Sequence, residues 1–158
     1  MPESWKTRLL RWKFNFYPAY RRSGARVTYI DASLLEVRIR LPLNRATRNL
    51  NGTIYGGSIY AAVDPLHAIM LVTRLGSGYQ VWTKEARVQF KRQGRTELTA
   101  TAALREEELH AVRAEIDAAG KAERTYPIDL RDREGHVCAS CEILVHFRKR
   151  EGEETRVL

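Results

Sequence analysis

Alternating apolar and polar positions mark much of the chain as strand. In LLEVRIRLP, Leu35, Val37, Ile39 and Leu41 face one way and Glu36, Arg38 and Arg40 the other. ARVTYIDA, just before it, also reads as a strand. YQVWTKEARVQFKRQ sets Trp82, Ala86, Val88 and Phe90 against Thr83, Glu85, Arg87, Gln89 and Lys91, and RTELTATAAL repeats the alternation. RTYPIDL, a DREG turn and HVCASCEILVHF close the pattern. Three segments have helical spacing instead. Trp5, Leu9, Trp12 and Phe16 fall at i, i+4, i+7 and i+11. EEELHAVRAEIDAAG has acids in its first turn and Gly120 as a stop. NLNGTIYGGSIYAAVDPLHAIMLVTRL is apolar almost all round and long enough for a buried helix. The order is helix, two strands, buried helix, two strands, short helix, two strands. It predicts an α+β domain, an antiparallel sheet wrapped around one apolar helix. The expected boundaries are an N-terminal amphipathic helix at 1–22, the wrapped domain at 23–150 and a flexible tail at 151–158.

Length and composition change this picture little. A chain of 158 residues is one domain by its length, with an ordinary balance of hydrophobic and charged residues. Asp64 and His67 interrupt the most apolar segment, so no membrane span is expected. The N-terminus lacks the apolar region of a cleaved signal, and a cytoplasmic protein is the expectation. Charge is more informative. Residues 1–26 hold seven basic side chains and one acid, Glu3, so they carry six of the eight net positive charges. A basic amphipathic helix suits anionic lipid or nucleic acid, but no nucleic-acid motif accompanies it. The expectation is a peripheral helix that docks its Trp5, Leu9, Trp12 and Phe16 stripe on the domain, with no stable membrane anchoring and no nucleic-acid partner. Cys138 and Cys141 form a lone CxxC on a strand, where positions three apart face opposite sides. Neither a disulfide nor shared metal ligation fits, and no metal site is expected.

Asp64 is the residue that demands an account. A carboxylate amid Ala, Val, Ile, Leu and Met is costly unless exposed, paired or chemically used. Asp-Pro is a common helix start, with Asp as N-cap and Pro65 at the first helical position. Alternatively the helix starts near Ser58, since GGSIYAAV has the small residues of a buried first turn; Pro65 then lies inside and kinks it. Composition and spacing leave both open.

The stretch NLNGTIYGGSIYAAVD resembles the signature of hotdog-fold thioesterases of the phenylacetate-pathway (PaaI-like) kind. That signature is Asn-x-x-Gly-x-x-His-Gly-Gly with an acid seven positions after the second glycine. Asn49, Gly52, Gly56, Gly57 and Asp64 fall on it in register, and Tyr55 stands at the histidine position. The layout of elements from about 25 to 148 is also similar to a hotdog fold, and the sequence is closest to an uncharacterised branch of that superfamily. The resemblance implies an acyl-CoA thioesterase in which Gly56 donates its backbone N–H to the oxyanion and Asp64 is general base or nucleophile. It implies Asn49, Tyr55 and Gly57 at the substrate, and no cofactor beyond the coenzyme A that the substrate carries. A non-catalytic acyl-CoA-binding or regulatory protein is the alternative. A hydratase or dehydratase is a third reading, although its acid-histidine motif is not found.

Spacing adds one inference. Eight residues separate Gly56 from Asp64, so along one helix they stand about 12 Å apart. One thioester carbonyl cannot touch both, and a site built from them requires two antiparallel copies of the helix. A homodimer or dimer of dimers is therefore expected. Lys84 interrupts an apolar strand face and lies either near the site or snorkelling at the sheet edge. Arg92 and Arg95 flank Gly94 at a strand turn, where relatives place contacts to coenzyme A; a guanidinium suits its phosphates. His67 lies one turn beyond Asp64 and either tunes the acid or is a buried core residue.

Overall fold

The computed structural model describes residues 2–150. It contains α1 (Trp5–Phe16), α2 (Pro18–Arg22), β1 (Arg26–Ile30), β2 (Glu36–Leu41), α3 (Gly56–Leu75), β3 (Tyr79–Phe90), β4 (Leu98–Ala103), α4 (Glu106–Ala119), β5 (Lys121–Arg131) and β6 (Val137–Lys149). The strands form one antiparallel sheet in the order β1-β2-β4-β5-β6-β3. The expected tail at 151–158 lies outside the described residues.

Helix α3 runs unbroken for 20 residues and contains Pro65. Its buried side chains include Ile59, Ala62, Val63, Leu66, Met70, Leu71 and Leu75. They meet the inward residues of the sheet, among them Val37, Ile39, Leu41, Leu98, Ile128, Leu130, Ile143, Val145 and Phe147, each almost fully buried. The other face of the sheet carries exposed Arg38, Arg40, Thr99 and Thr101. Pro65 has no N–H for the carbonyl four residues back. In the disturbed turn the adjacent carbonyl of Ala62 accepts a bond from Tyr20 Oη at 3.3 Å, which ties α2 to α3.

The two edges of the sheet are treated differently. Helix α1 lies on β1. There the Asn15 side chain mimics a strand: its Nδ2 donates to the Val27 carbonyl at 2.9 Å, and its Oδ1 accepts from the Val27 N–H at 2.8 Å. Glu3 Oε1 accepts from the Ile30 N–H at 3.1 Å. The opposite edge, β3, is 12 residues long and pairs only with β6. Its inward residues Val81, Ala86 and Val88 are half-buried and Phe90 is exposed.

Two expectations need correction. Trp82 does not share a face with Ala86, Val88 and Phe90. A bulge between Thr83 and Glu85, at Lys84, inserts one extra residue and switches the alternation. Trp82 is therefore outward, its ring tilted against that of His146 with centroids 4.4 Å apart. The second correction concerns α1. It docks through Leu10 and Phe14, which meet Val27, Ile30, Val37, Leu66 and Ile69, and Thr7 is buried on the same side. The opposite stripe stands in solvent, with Trp5 72%, Leu9 46%, Trp12 58% and Phe16 55% exposed. The Asn15 and Glu3 bonds to β1, with the Phe14 ring packed at a tilt 4.3 Å from that of Tyr20, fix the rotation of the helix. Phe14→Ala should therefore destabilise the domain by about 3 kcal/mol. Trp5→Ala should leave stability within about 0.5 kcal/mol. Urea denaturation of the two variants tests this orientation; equal losses would contradict it.

Candidate active site

The segment before α3 is shaped by Asn49. Its Oδ1 accepts from the N–H groups of Asn51 (3.0 Å) and Thr53 (3.1 Å), and its Nδ2 donates to Thr53 Oγ1 at 3.0 Å. These bonds close a short loop, with Gly52 at φ +75°. The Tyr55 N–H then donates to the Thr47 carbonyl at 2.7 Å and the Ile54 N–H to the Gly94 carbonyl at 2.9 Å. Together they aim the chain into α3.

Tyr55 is the N-cap of that helix, and no side chain caps its first turn. The N–H groups of Gly56, Gly57 and Ser58 consequently have no intrahelical partner and sit at the positive end of the dipole. A cavity of about 400 Å³ opens here, lined by Asn49, Gly56, Phe90, Arg92 and Gly94 among others. A Cβ on Gly56 would come within 2.9 Å of the exposed Phe90 ring, and one on Gly57 within 2.4 Å of the exposed Tyr55 ring, so a side chain at either position would have to displace that ring. The space over Gly57, expected to admit substrate, is occupied by Tyr55.

Asp64 is not an N-cap. It lies two turns inside α3, partly buried, and its Oδ1 accepts from Tyr60 Oη at 2.9 Å. Burial, followed by the bond to Asp64 and its negative charge, pushes the Tyr60 hydroxyl up to about 12. Tyr60 thus stays protonated and remains a donor to the carboxylate. Sequence reasoning passed over Tyr60, although its position one turn before Asp64 is the signal that identifies it.

The other candidates separate. Arg92 lines the Gly56 cavity and also an adjoining hollow of about 610 Å³ that holds Arg95. Arg95 Nη2 donates to Gln93 Oε1 at 2.6 Å. Lys84 stands apart from α3. At its bulge it reaches Glu123 Oε1 at 2.7 Å, and the same oxygen bonds His146 Nδ1 at 2.8 Å on the outward side of the sheet. Cys138 and Cys141 are free and buried. Burial, then the nearby Asp129 charge, raises the Cys141 thiol to about 11, which makes it an inert packing group.

His67 is a buried core residue. Strands β4 and β5 pair only at Thr99 and Arg131, and Pro127, with no N–H to offer a ladder, lies in the unpaired stretch. The gap forms a cavity of about 960 Å³ lined by Thr101, Tyr126, Pro127 and His67 among others. There His67 stacks on Tyr126 at 4.4 Å. Burial depresses its pKa to about 4, against a hydrogen bond to the Ala103 backbone that raises it.

An antiparallel sheet wrapped around one long helix defines a hotdog fold. The chain belongs to the family described as Domain of unknown function (DUF4442), whose model matches residues 6–146. Among solved structures it is similar to a protein of unknown function from Pseudomonas aeruginosa described as a "probable thioesterase", with 25% identity, 95% of this chain and 99% of that one covered, and a TM-score of 0.81. A Chlorobaculum tepidum protein of unknown function is 16% identical, with 92% and 95% covered and a TM-score of 0.75. A thioesterase from Haemophilus influenzae shares the fold at 15% identity, with 96% and 97% covered and a TM-score of 0.72. No curated protein matches the sequence. No helix among the described residues is long and apolar enough to cross a membrane.

The buried imidazole yields a pH prediction. Between about pH 6.5 and pH 4 the unfolded chain protonates His67 while the folded chain keeps it neutral. Its stabilising contribution is therefore complete above pH 6.5 and is lost as pH falls toward 4, by about 3 kcal/mol. Thermal melts across this range should show the loss, and His67→Gln should flatten it. An unchanged slope in the variant would assign the acid sensitivity elsewhere.

Proposed function

We propose that the protein hydrolyses acyl thioesters, with acyl-coenzyme A as the substrate class, at sites shared between two chains. The observation that carries this reading is the placement of Asp64 within α3, held by Tyr60 Oη, on the same helix whose uncapped first turn begins at Gly56 beside a cavity. The relatives described as thioesterases support it.

In this scheme the Asp64 carboxylate of one chain takes a proton from water. The water oxygen attacks the thioester carbonyl, and the charge that develops on the carbonyl oxygen is met by the Gly56 N–H of the other chain. The tetrahedral intermediate collapses with cleavage of the C–S bond, and the thiolate leaves and acquires a proton. Tyr60 orients the carboxylate. Arg92, at the mouth of the Gly56 cavity, offers a bidentate partner for a coenzyme A phosphate, and Arg95 lies in the hollow next to it. No cofactor is needed beyond the coenzyme A of the substrate.

The open β3 edge supports the two-chain requirement, because a twelve-residue strand paired on one side only, beside half-buried Val81, Ala86 and Val88, forms a surface for a second copy. Sedimentation should give a dimer or a dimer of dimers. A stable monomer at micromolar concentration would remove the composite site.

The ring of Tyr55 over Gly57 favours a second reading, in which the same site binds acyl-CoA without turnover. One variant separates catalytic from structural roles. Asp64→Asn keeps an oxygen for Tyr60 but loses basicity, so free-thiol release from acyl-CoAs of graded length should fall about a hundredfold or more, with folding preserved. Equal hydrolysis by variant and wild type would make the carboxylate structural. No turnover of any acyl-CoA by the wild type, with tight binding of one, would establish the binding reading.

A further inference from the structure

The side of α1 turned away from the domain is the largest feature that the proposed reaction leaves unused. Counting about 100° per residue, Trp5, Leu9, Trp12 and Phe16 fall within about 60° of one another on the outer surface of the helix. Trp12 and Phe16 pack together with centroids 4.6 Å apart. Lys6 and Lys13 border this stripe about 90° to one side, and Arg8 about 70° to the other. Lys6 lies over the Trp5 ring with its ammonium 5.7 Å from the centroid, and the Arg8 side chain is 70% exposed. The inner side is already committed to the domain through Thr7, Leu10, Phe14, Asn15 and Glu3. A stripe of two tryptophans, a phenylalanine and a leucine in water is costly unless something covers it.

We propose that this face lays the protein on an anionic lipid surface. Charge and shape both select that occupant. The aromatic stripe has the width to enter the boundary between headgroups and acyl chains, and the cations on either side stand where the phosphate headgroups would lie. Residues 1–26 carry six net positive charges. The helix is held rigidly flat on β1, so all four apolar side chains enter together without a folding cost on binding. Helix α1 also lies at the opposite end of the sheet from β3, and pairing of two chains through β3 leaves it free. The expectation that the helix would not engage membranes rested on docking of this stripe against the domain. The stripe does not dock there.

Full-length protein mixed with vesicles of phosphatidylcholine, with and without phosphatidylglycerol, tests the proposal by co-sedimentation and tryptophan emission. Binding should require the anionic lipid, shift the emission to the blue and weaken as salt is raised. Trp5→Ala with Trp12→Ala should abolish it, and Lys6→Gln with Lys13→Gln should weaken it about tenfold or more. Melting temperatures like that of the wild type would confirm that these variants fold. Absence of binding to the anionic vesicles, or binding unchanged in the tryptophan variant, would overturn the proposal. So would a concentration-dependent self-association that the tryptophan variant loses while wild type ignores vesicles, because the stripe would then cover a second copy.

Discussion

Enclosure of α3 is the constraint from which the rest of the molecule follows. A helix apolar around most of its circumference cannot rest on one flat layer, because half of it would remain in water. The sheet must curl, and it does so with long strands β3, β5 and β6 of 12, 11 and 13 residues. The curl is bought partly with irregularity: a bulge at Lys84, a second in β1 between Val27 and Tyr29, and a parting of β4 from β5. The parting brings His67, the one imidazole on α3, against Tyr126. Enclosure also explains why Asp64 can stay inside an apolar helix. It occupies a partly buried position where Tyr60 reaches it, and the core packs on the other sides.

The order of elements was legible apart from α2, a short helix that Pro18 starts afresh after α1; each strand alternates and α3 does not. The fate of Asp64 was not legible from spacing. Asp-Pro is the same dipeptide at a helix start and inside a helix that tolerates a proline, and only the glycine-rich register before it separated the two. Two misreadings have a shared origin. Trp82 was assigned by counting twos, and a one-residue bulge defeats that count without leaving a mark in composition. The α1 stripe was likewise assigned by its period, because Trp5, Leu9, Trp12 and Phe16 line one helical face. Fit overruled period: Phe14 packs on Tyr20, and Asn15 and Glu3 bond the backbone of β1. The polar residues, not the tryptophans, carried the orientation.

The site shows a similar division. Gly56, Asn49 and Arg92 are gathered around one cavity, as their places at the two ends of the segment from β2 to β4 suggest. Lys84 is drawn away by Glu123. The glycines leave room for the rings of Phe90 and Tyr55, which lie where side chains at 56 and 57 would begin. A glycine kept for chemistry and one kept for packing are indistinguishable in a single sequence.

The Asn15 amide on the Val27 backbone has a consequence for aggregation. A sheet with two open edges can add chains at both and grow into a fibre. Here one edge is sealed by a side chain of the same molecule, so a chain joined to another through β3 presents only sealed borders outward. Edge-to-edge growth would end at a pair, whatever other faces the pair uses. Asn15, far from any chemistry, would then be the residue that keeps a self-complementary edge from becoming a polymer.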